Sequence, residues 1–122
     1  MNKPHKKLTA WSTAVDLVIA VHEVTADFPG TERYGLTDQM RRAALSIPSN
    51  IAEGAARQTK KEFLQFLHIA KGSLSELDTH LEVAQRLSFL SDKQWADLDA
   101  RLEHIDRMLS GLMRHLRNTT RS

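Results

Sequence analysis

Apolar residues recur every three or four positions along four segments of this 122-residue chain, and this spacing constrains the fold more than any other feature. The clearest segment is the last, whose apolar positions are Trp95, Leu98, Leu102, Ile105, Leu109, Leu112 and Leu116. Such spacing places these side chains on one face of an α-helix. No strand-like alternation and no internal repeat are evident in the sequence. The pattern therefore predicts an all-α fold.

Residues that favour helix ends bound the first two predicted helices. The first covers about residues 9–28 and is followed by Pro29 and Gly30, which together disfavour continuation. The second covers about residues 37–56, with Thr37 as its capping residue. Pro48 lies inside the second helix and removes a backbone donor, at a cost of roughly 3 kcal/mol in an undisturbed helix. We therefore expect a kink at Pro48.

Two capping boxes open the remaining helices. Thr59 with Glu62 begins the third helix, which runs to about residue 87, and Ser91 with Gln94 begins the fourth. Four helices of about 20 to 28 residues with short connections predict an antiparallel up-down-up-down four-helix bundle. At this length we expect one domain over residues 1–122, with short basic tails at about residues 1–8 and 118–122.

Composition excludes several classes of protein. The chain has no cysteine, so disulfides and thiolate chemistry are excluded and a reducing compartment is compatible. Its longest apolar run, residues 14–21, contains Asp16 and is too short to span a bilayer. The basic N-terminus lacks the cleavage site of a signal peptide. We therefore predict a cytoplasmic protein with no membrane partner.

The sequence gives little support for an enzyme. None of the six histidines has an acidic residue three positions before it, so the Glu-x-x-His pairs of a di-iron bundle are absent. No nucleotide-binding loop or nucleophile elbow occurs. Glu76 and His80, one helical turn apart, remain open either as an acid–base pair or as a helix-surface or interface contact. We predict no catalytic residue, no metal site and no cofactor.

A polar stripe runs beside the core stripe of the second helix and predicts a subunit interface. A matching mixed stripe on the third helix includes Ile69 and His80, and Gly54 and Gly72 would permit a close approach of helices. Simple hydration of one flank, or bonding to carbonyls freed by Pro48, stays open as the alternative. The predicted interface residues are Gln39, Arg42, Ser46, Asn50, Glu53, Glu62, Ser73 and Glu76.

The same region resembles a known family. The runs ERYGLTDQMRRAALSIPSNIAEGAAR and KEFLQFLHIAKGSLSELDTHLEVA look like the signature of the 23S ribosomal RNA intervening-sequence protein family, and the resemblance covers about residues 11–90. It implies a small four-helix bundle that assembles into a homopentameric ring. A related branch comprises the accessory proteins of diversity-generating retroelements, for which the resemblance implies binding of nucleic acid and of a reverse transcriptase. Most members of the family have no assigned biochemical activity.

Basic residues collect at one end of the predicted bundle, although the net charge is only +2. Clustered cations displace the counterions of a nucleic-acid backbone and give affinity without reading sequence. We therefore predict binding of RNA or DNA, with a protein-interaction scaffold, for example for a reverse transcriptase, as the alternative. A merely solubilising role for these cations also stays open. The predicted nucleic-acid-binding residues are Lys6, Lys7, Arg57, Lys60, Lys61, Arg114, Arg117 and Arg121.

Overall fold

A computed structural model describes residues 1–119, in which four α-helices make up nearly the whole chain. The helices are α1 (Thr9–Thr25), α2 (Leu36–Ala55), α3 (Lys60–Arg86) and α4 (Asp92–Thr119). Short 3-10 turns lie at Pro4–Lys7 and Gly30–Glu32. The described residues contain no strand, which confirms the all-α prediction. None of their helices is long and apolar enough to cross a membrane.

The four helices pack as a closed square. Each helix contacts the next along the chain, and α4 returns to contact α1. Within residues 1–119, no contact joins α1 to α3 or α2 to α4, so these pairs occupy diagonal corners. With connections this short, consecutive helices run antiparallel. The up-down-up-down topology is therefore confirmed.

The core lies along the common axis of the four helices and follows the predicted stripes. Its largest fully buried side chains come from every helix and include Leu17, Met40, Ile47, Leu77, Leu98 and Ile105. The fourth stripe differs in one place, because Met113 is buried whereas Leu112 is only partly buried. A straight helix with 3.6 residues per turn drifts relative to a strict heptad, so the buried position moves by one residue towards the end of α4.

Helix α1 ends three residues earlier than the sequence predicts. The Thr25 hydroxyl donates to the Val21 carbonyl oxygen at 2.7 Å, and Arg41 Nε donates to Thr25 Oγ1 at 2.9 Å. These bonds attach the last turn of α1 to α2. The chain then turns, and Phe28 is buried against Phe89, with ring centroids 5.4 Å apart.

Only two of the three predicted caps are observed. Thr59 Oγ1 accepts from the Glu62 amide at 3.1 Å, and Ser91 Oγ accepts from the Gln94 amide at 3.1 Å, which confirms both capping boxes. The prediction for Thr37 is wrong. Helix α2 begins at Leu36 after Gly35, and Thr37 is buried in its first turn without capping it.

The two glycines singled out in the sequence have different surroundings. A Cβ atom at Gly54 would lie 2.8 Å from Phe66 Cβ and 2.9 Å from Phe63 Cδ1, so α2 and α3 of one chain approach closely there. A Cβ atom at Gly72 would meet nothing within 4 Å.

Helix α2 remains helical on both sides of Pro48, which is buried. The kink at Pro48 stays a prediction.

Candidate nucleic-acid interface

The antiparallel topology brings three distant parts of the chain to one end of the bundle. These are the N-terminal 3-10 turn, the connection between α2 and α3, and the last turns of α4. The last turns of α4 also contact α3 near its start, because Arg117 Nη2 lies 3.3 Å from His68 Nε2, which is two turns into α3. We call this end the basic end and define it by the described residues Lys3, Lys6, Lys7, Arg57, Lys60, Lys61, Arg114 and Arg117. Arg121, predicted with them, lies outside the described residues.

Lys60 and Lys61 are the two first residues of α3 and are both exposed. Neither forms an ion pair with any described residue. The amide groups at a helix N-terminus carry partial positive charge, so cations there oppose the helix dipole by about 0.3 to 1 kcal/mol each at low ionic strength. These lysines therefore do not stabilise α3, and their charge is available to an external anion.

Arg57 is held in place by neighbours. Its Nη2 donates to Glu53 Oε1 at 3.0 Å, and its guanidinium group lies 4.8 Å from the centroid of the Phe66 ring. Both contacts are at the surface, where the side chain of Arg57 keeps 43% of its exposure. Glu53 offsets part of the charge of Arg57, so Arg57 contributes less net positive charge than Lys60 or Lys61.

Lys6 and Lys7 lie in the N-terminal 3-10 turn, which packs against both α1 and α2. The turn is fixed by His5, whose ring meets the edge of the Trp11 ring at a centroid distance of 5.0 Å. Lys6 and Lys7 are exposed and form no ion pair within residues 1–119. The packed turn thus adds two cations next to the α2–α3 connection.

Arg114 and Arg117 lie near the C-terminus of α4, where cations stabilise the helix dipole. Both are exposed, and Arg117 contacts His68. His68 was not predicted at the basic end, because it lies on α3 and is 49 residues away from Arg117 in the chain. Because α3 and α4 are antiparallel, the start of α3 lies beside the end of α4. This topology could have indicated that His68 lies near Arg117.

The predicted interface residues make bonds within one chain. Ser46 Oγ and Ser73 Oγ are 2.8 Å apart, so the polar flanks of α2 and α3 meet, and Asn50 Nδ2 donates to the Ser46 carbonyl oxygen at 2.8 Å. The charged members are paired locally: Arg42 with Asp38, Glu53 with Arg57, and Glu62 with Thr59. Gln39 and Glu76 are exposed. An interface role for the whole set stays a prediction.

Glu76 and His80 form a pair on α3, with Glu76 Oε1 3.9 Å from His80 Nε2. His80 is buried, and its Nδ1 atom forms no hydrogen bond with any described residue. Burial lowers the pKa of His80, and the negative charge of Glu76 partly opposes that shift. The pair lies outside the groove between α3 and α4. This arrangement fits a helix-surface contact better than an acid–base pair facing a substrate.

The groove between α3 and α4 has a volume of about 570 Å³ and is rich in carboxylates. Asp78, Asp99, Glu103 and Asp106 line it together with Arg107. One of these carboxylates is paired, because Lys71 Nζ lies 3.3 Å from Asp106 Oδ1. In the part of the chain that the structure describes, no three histidine or carboxylate side chains are close enough to hold a metal ion.

Two comparisons with known proteins match the chain. A sequence model described as 23S rRNA-intervening sequence protein matches residues 6–111. A crystal structure of a protein of unknown function from the S23 ribosomal protein family of Bacteroides thetaiotaomicron has the same fold, with a TM-score of 0.78 and 18% sequence identity. That match covers 86% of this chain and 98% of the other. Among curated proteins there is no significant match.

Proposed function

The chain belongs to the 23S rRNA-intervening sequence protein family, and from this premise we propose that it is a non-enzymatic, homo-oligomeric bundle that binds RNA or DNA through its basic end. The oligomer is the homopentameric ring that the sequence resemblance implies. We place the protein in the cytoplasm, where its nucleic-acid ligands would be.

The observation that carries this proposal is the position of Lys60 and Lys61. Two exposed lysines open α3, where they oppose the helix dipole and have no acidic partner among the described residues. A solubilising role does not require cations at this position, because many other exposed sites would not oppose a dipole. A phosphate group would be attracted both by the lysine side chains and by the amide groups of Lys60 and Lys61, because the Thr59 cap occupies only the amide of Glu62.

The proposed mode of binding is contact with phosphates. The aromatic rings near the basic end, Trp11, Phe63 and Phe66, are partly buried and packed against the core or against Arg57. They offer no row of open faces for stacking of bases, which single-strand binders use. In a ring, the basic end would be repeated around one axis, and modest contacts from each copy would add through effective concentration.

The test reverses charge at the basic end. A variant carrying Lys60→Glu, Lys61→Glu, Arg114→Glu and Arg117→Glu should lose most affinity for RNA and duplex DNA, measured by fluorescence anisotropy at several salt concentrations. The matched control reverses four exposed or half-exposed cations elsewhere, Arg33, Arg86, Lys93 and Arg101, and thus has the same net charge. Unchanged affinity and salt dependence in the first variant, or equal losses in both, would contradict the proposal.

One observation favours a second function, a scaffold for a basic protein. The carboxylates of the α3–α4 groove form a negative surface along the side of the bundle. A basic partner such as a reverse transcriptase would complement this surface. Purification of the protein with a bound basic protein and without nucleic acid, reversed by Asp99→Asn and Glu103→Gln together, would support this alternative.

A further inference from the structure

A second groove lies between α1 and α4, close to the basic end. It has a volume of about 300 Å³ and lies between residues 8–10, at the start of α1, and residues 107–112 of α4. Its walls are mostly apolar, because Leu8, Met108 and Leu112 line it and are only partly buried. We call it the α1–α4 groove. Pockets for small ligands begin at about this volume and have mainly apolar walls.

Gly111 keeps the α1–α4 groove open. It lies inside the 28-residue helix α4, where glycine is a poor helix former. A Cβ atom there would meet only Arg114 Nη2, at 3.9 Å, which is an ordinary contact distance. No close approach of helices in the described chain therefore requires a glycine here, in contrast to Gly54. A larger side chain at position 111 would instead occupy the groove that Gly111 lines.

Cations of the basic end lie at the rim of the α1–α4 groove. Arg107 lines the groove, and Arg114 Nη2 lies 3.9 Å from the position of a Cβ atom on Gly111. Lys6 and Lys7 come directly before the first lining residue and are exposed. The groove thus combines apolar walls with a positive rim. A ligand that fits it combines an apolar body with negative charge.

The nearest carboxylates leave this rim positive. None of the residues that line the α1–α4 groove is acidic, and Glu103 and Asp106 line the α3–α4 groove instead. Glu103 lies 3.9 Å from Arg107 and offsets part of its charge, whereas Arg114 forms no ion pair with any described residue. Asp16, the first acidic residue of α1, lies about 10 Å along the helix from its start.

We propose that the α1–α4 groove holds one unpaired base of a nucleic acid whose phosphates lie on the basic end. The inference rests on the proposed function and adds a preference for overhangs and bulges over continuous duplex. Unpaired bases stack on arginine guanidinium planes, which Arg107 can supply. Met108 adds a sulfur atom, which makes favourable contacts with aromatic rings. Thr9 adds a hydroxyl group that can bond to the edge of the base.

The size of the groove favours a base over a lipid acyl chain. Along α4 its lining residues run from Arg107 to Leu112, which is about 8 Å at 1.5 Å per residue. This length accommodates one flat heterocyclic ring and is too short to bury an extended acyl chain. A paired base cannot enter the groove, because its partner strand holds it in the helix. The groove takes one base, unlike the rows of aromatic faces on single-strand binders.

The test compares two RNA ligands that carry the same number of phosphates. Both are duplexes with a two-nucleotide 3′ overhang, which consists of uridines in one and of abasic nucleotides in the other. Fluorescence anisotropy measures the affinity of the full chain for each RNA at several salt concentrations. The wild type should bind the uridine overhang about fivefold more tightly, near the lower end of what one stacked base contributes, because the groove contains no aromatic ring.

Two leucine variants locate the effect. Gly111→Leu fills the groove and leaves every cation in place, so it should bind both RNAs as the wild type binds the abasic RNA. Ala100→Leu is the matched control at an exposed position of α4 outside the groove, and it should keep the fivefold difference. Circular dichroism and thermal melts check folding. Gly111→Leu should melt at or above the wild-type temperature, because leucine is a better helix former than glycine.

A photo-crosslink tests the wild type without any substitution. A 4-thiouridine in the overhang should attach to a residue that lines the α1–α4 groove, identified by mass spectrometry. Attachment only to other parts of the chain would overturn the inference.

The affinities separate this inference from the proposed function. Salt-sensitive binding of both RNAs with equal affinity, a difference that survives in Gly111→Leu, or its loss in Ala100→Leu would overturn the inference alone. No salt-sensitive binding of either RNA would refute the proposed function and the inference with it. Calorimetry with laurate tests the other occupant. Laurate binding by the wild type and not by Gly111→Leu, without a preference for the uridine overhang, would assign the groove to an acyl chain and overturn the inference.

Discussion

At the scale of the residue, Gly54 shows how a single missing methyl group fixes the distance between two helices. The atoms that a Cβ at Gly54 would meet are Phe66 Cβ at 2.8 Å and Phe63 Cδ1 at 2.9 Å, with the Phe63 carbonyl oxygen at 3.3 Å. Phe66 Cβ is attached to the backbone and cannot move independently of α3. Any larger residue at position 54 therefore pushes α2 and α3 apart.

We predict that Gly54→Ala destabilises the protein by about 1 to 2 kcal/mol. Overpacking costs about 1 to 3 kcal/mol, and the gain in helix propensity of roughly 1 kcal/mol offsets only part of that cost. Urea denaturation followed by circular dichroism measures the change. Gly111→Ala in α4 is the matched control, because a Cβ there would meet only the end of the Arg114 side chain at 3.9 Å. Equal stability of Gly54→Ala and wild type would contradict the close approach.

The stability of the folded chain depends on pH through His80. Burial lowers its pKa below the ordinary value of 6.5, so the folded state binds the proton more weakly than the unfolded state. As the pH falls through 6.5, the unfolded chain takes up the proton first, and stability is lost until the folded-state pKa is reached. Above pH 6.5 both states are neutral at this residue and the effect vanishes.

We predict that acidification from about pH 7.5 to about pH 5.5 lowers the melting temperature of the wild type more than that of His80→Leu. The leucine variant has no titrating group at position 80 and removes the unpaired Nδ1 atom. Differential scanning fluorimetry over this range measures both proteins. Glu76→Gln should enlarge the pH effect, because the carboxylate of Glu76 raises the pKa of His80. Parallel pH profiles for wild type and His80→Leu would show the expectation to be wrong.

At the scale of the element, helix ends explain where the chain turns. The Thr59–Glu62 and Ser91–Gln94 boxes satisfy amides that a helix start leaves unpaired. Helix α3 ends in a Schellman motif, in which the Phe89 amide donates to the Ala84 carbonyl oxygen and the Ser88 amide to that of Gln85, both at 2.9 Å. Ser88 has a φ of 61°, a left-handed conformation that favours glycine.

We predict that Ser88→Gly stabilises the protein by about 0.5 to 1 kcal/mol, because glycine adopts the left-handed conformation without a steric penalty. Ser75→Gly, at an exposed position inside α3, should instead destabilise by about 0.5 kcal/mol through lower helix propensity. Chemical denaturation of both variants shows whether each substitution raises or lowers the free energy of unfolding. A loss of stability in Ser88→Gly would mean that the α3–α4 turn changes conformation in solution.

At the scale of the whole molecule, packing brings cations that are far apart in the sequence to one end of the bundle. The molecule therefore has an uneven charge distribution along its axis. The cations of the basic end come from the N-terminal turn, the α2–α3 connection and the end of α4, which are far apart in sequence. At the other end and along α4, several cations are neutralised by local pairs such as Arg86 with Glu82 and Arg101 with Asp97. Positive charge therefore concentrates at one end, which would orient the bundle on an anionic ligand.

We predict that neutralising Lys60 and Lys61 by Lys→Gln substitutions has opposite effects on binding and stability. The dipole repulsion at the start of α3 disappears, so stability should rise by a few tenths of a kcal/mol or more. The slope of log affinity against log salt should fall by about 0.9 for each lost phosphate contact on duplex DNA. In a ring the loss is multiplied by the number of copies that touch the ligand. Anisotropy titrations at several salt concentrations, with thermal melts, measure both effects, and an unchanged slope would exclude these lysines as phosphate contacts.

The sequence by itself determined the helices, two of their caps and most of the core. Apolar spacing and capping boxes are local patterns, because their physical causes act within one or two helical turns. The caps at Thr59 and Ser91 and the core face of α4 could therefore be predicted without knowledge of the tertiary structure. The topology, too, followed from short connections. The clustering of Lys60, Lys61 and Arg117 at one end was a consequence of that topology.

Only the tertiary structure decided which side chains contact residues of other helices and which stay exposed. Thr37 is buried rather than capping α2, Arg41 of α2 bonds to Thr25 at the end of α1, and Ser46 bonds to Ser73 across two helices. Gly54 and Gly72 are the same residue in similar helices, yet one is tightly packed and the other faces open space. These outcomes depend on the rotation and distance of packed helices, which arise from the fit of the whole core and not from any local pattern.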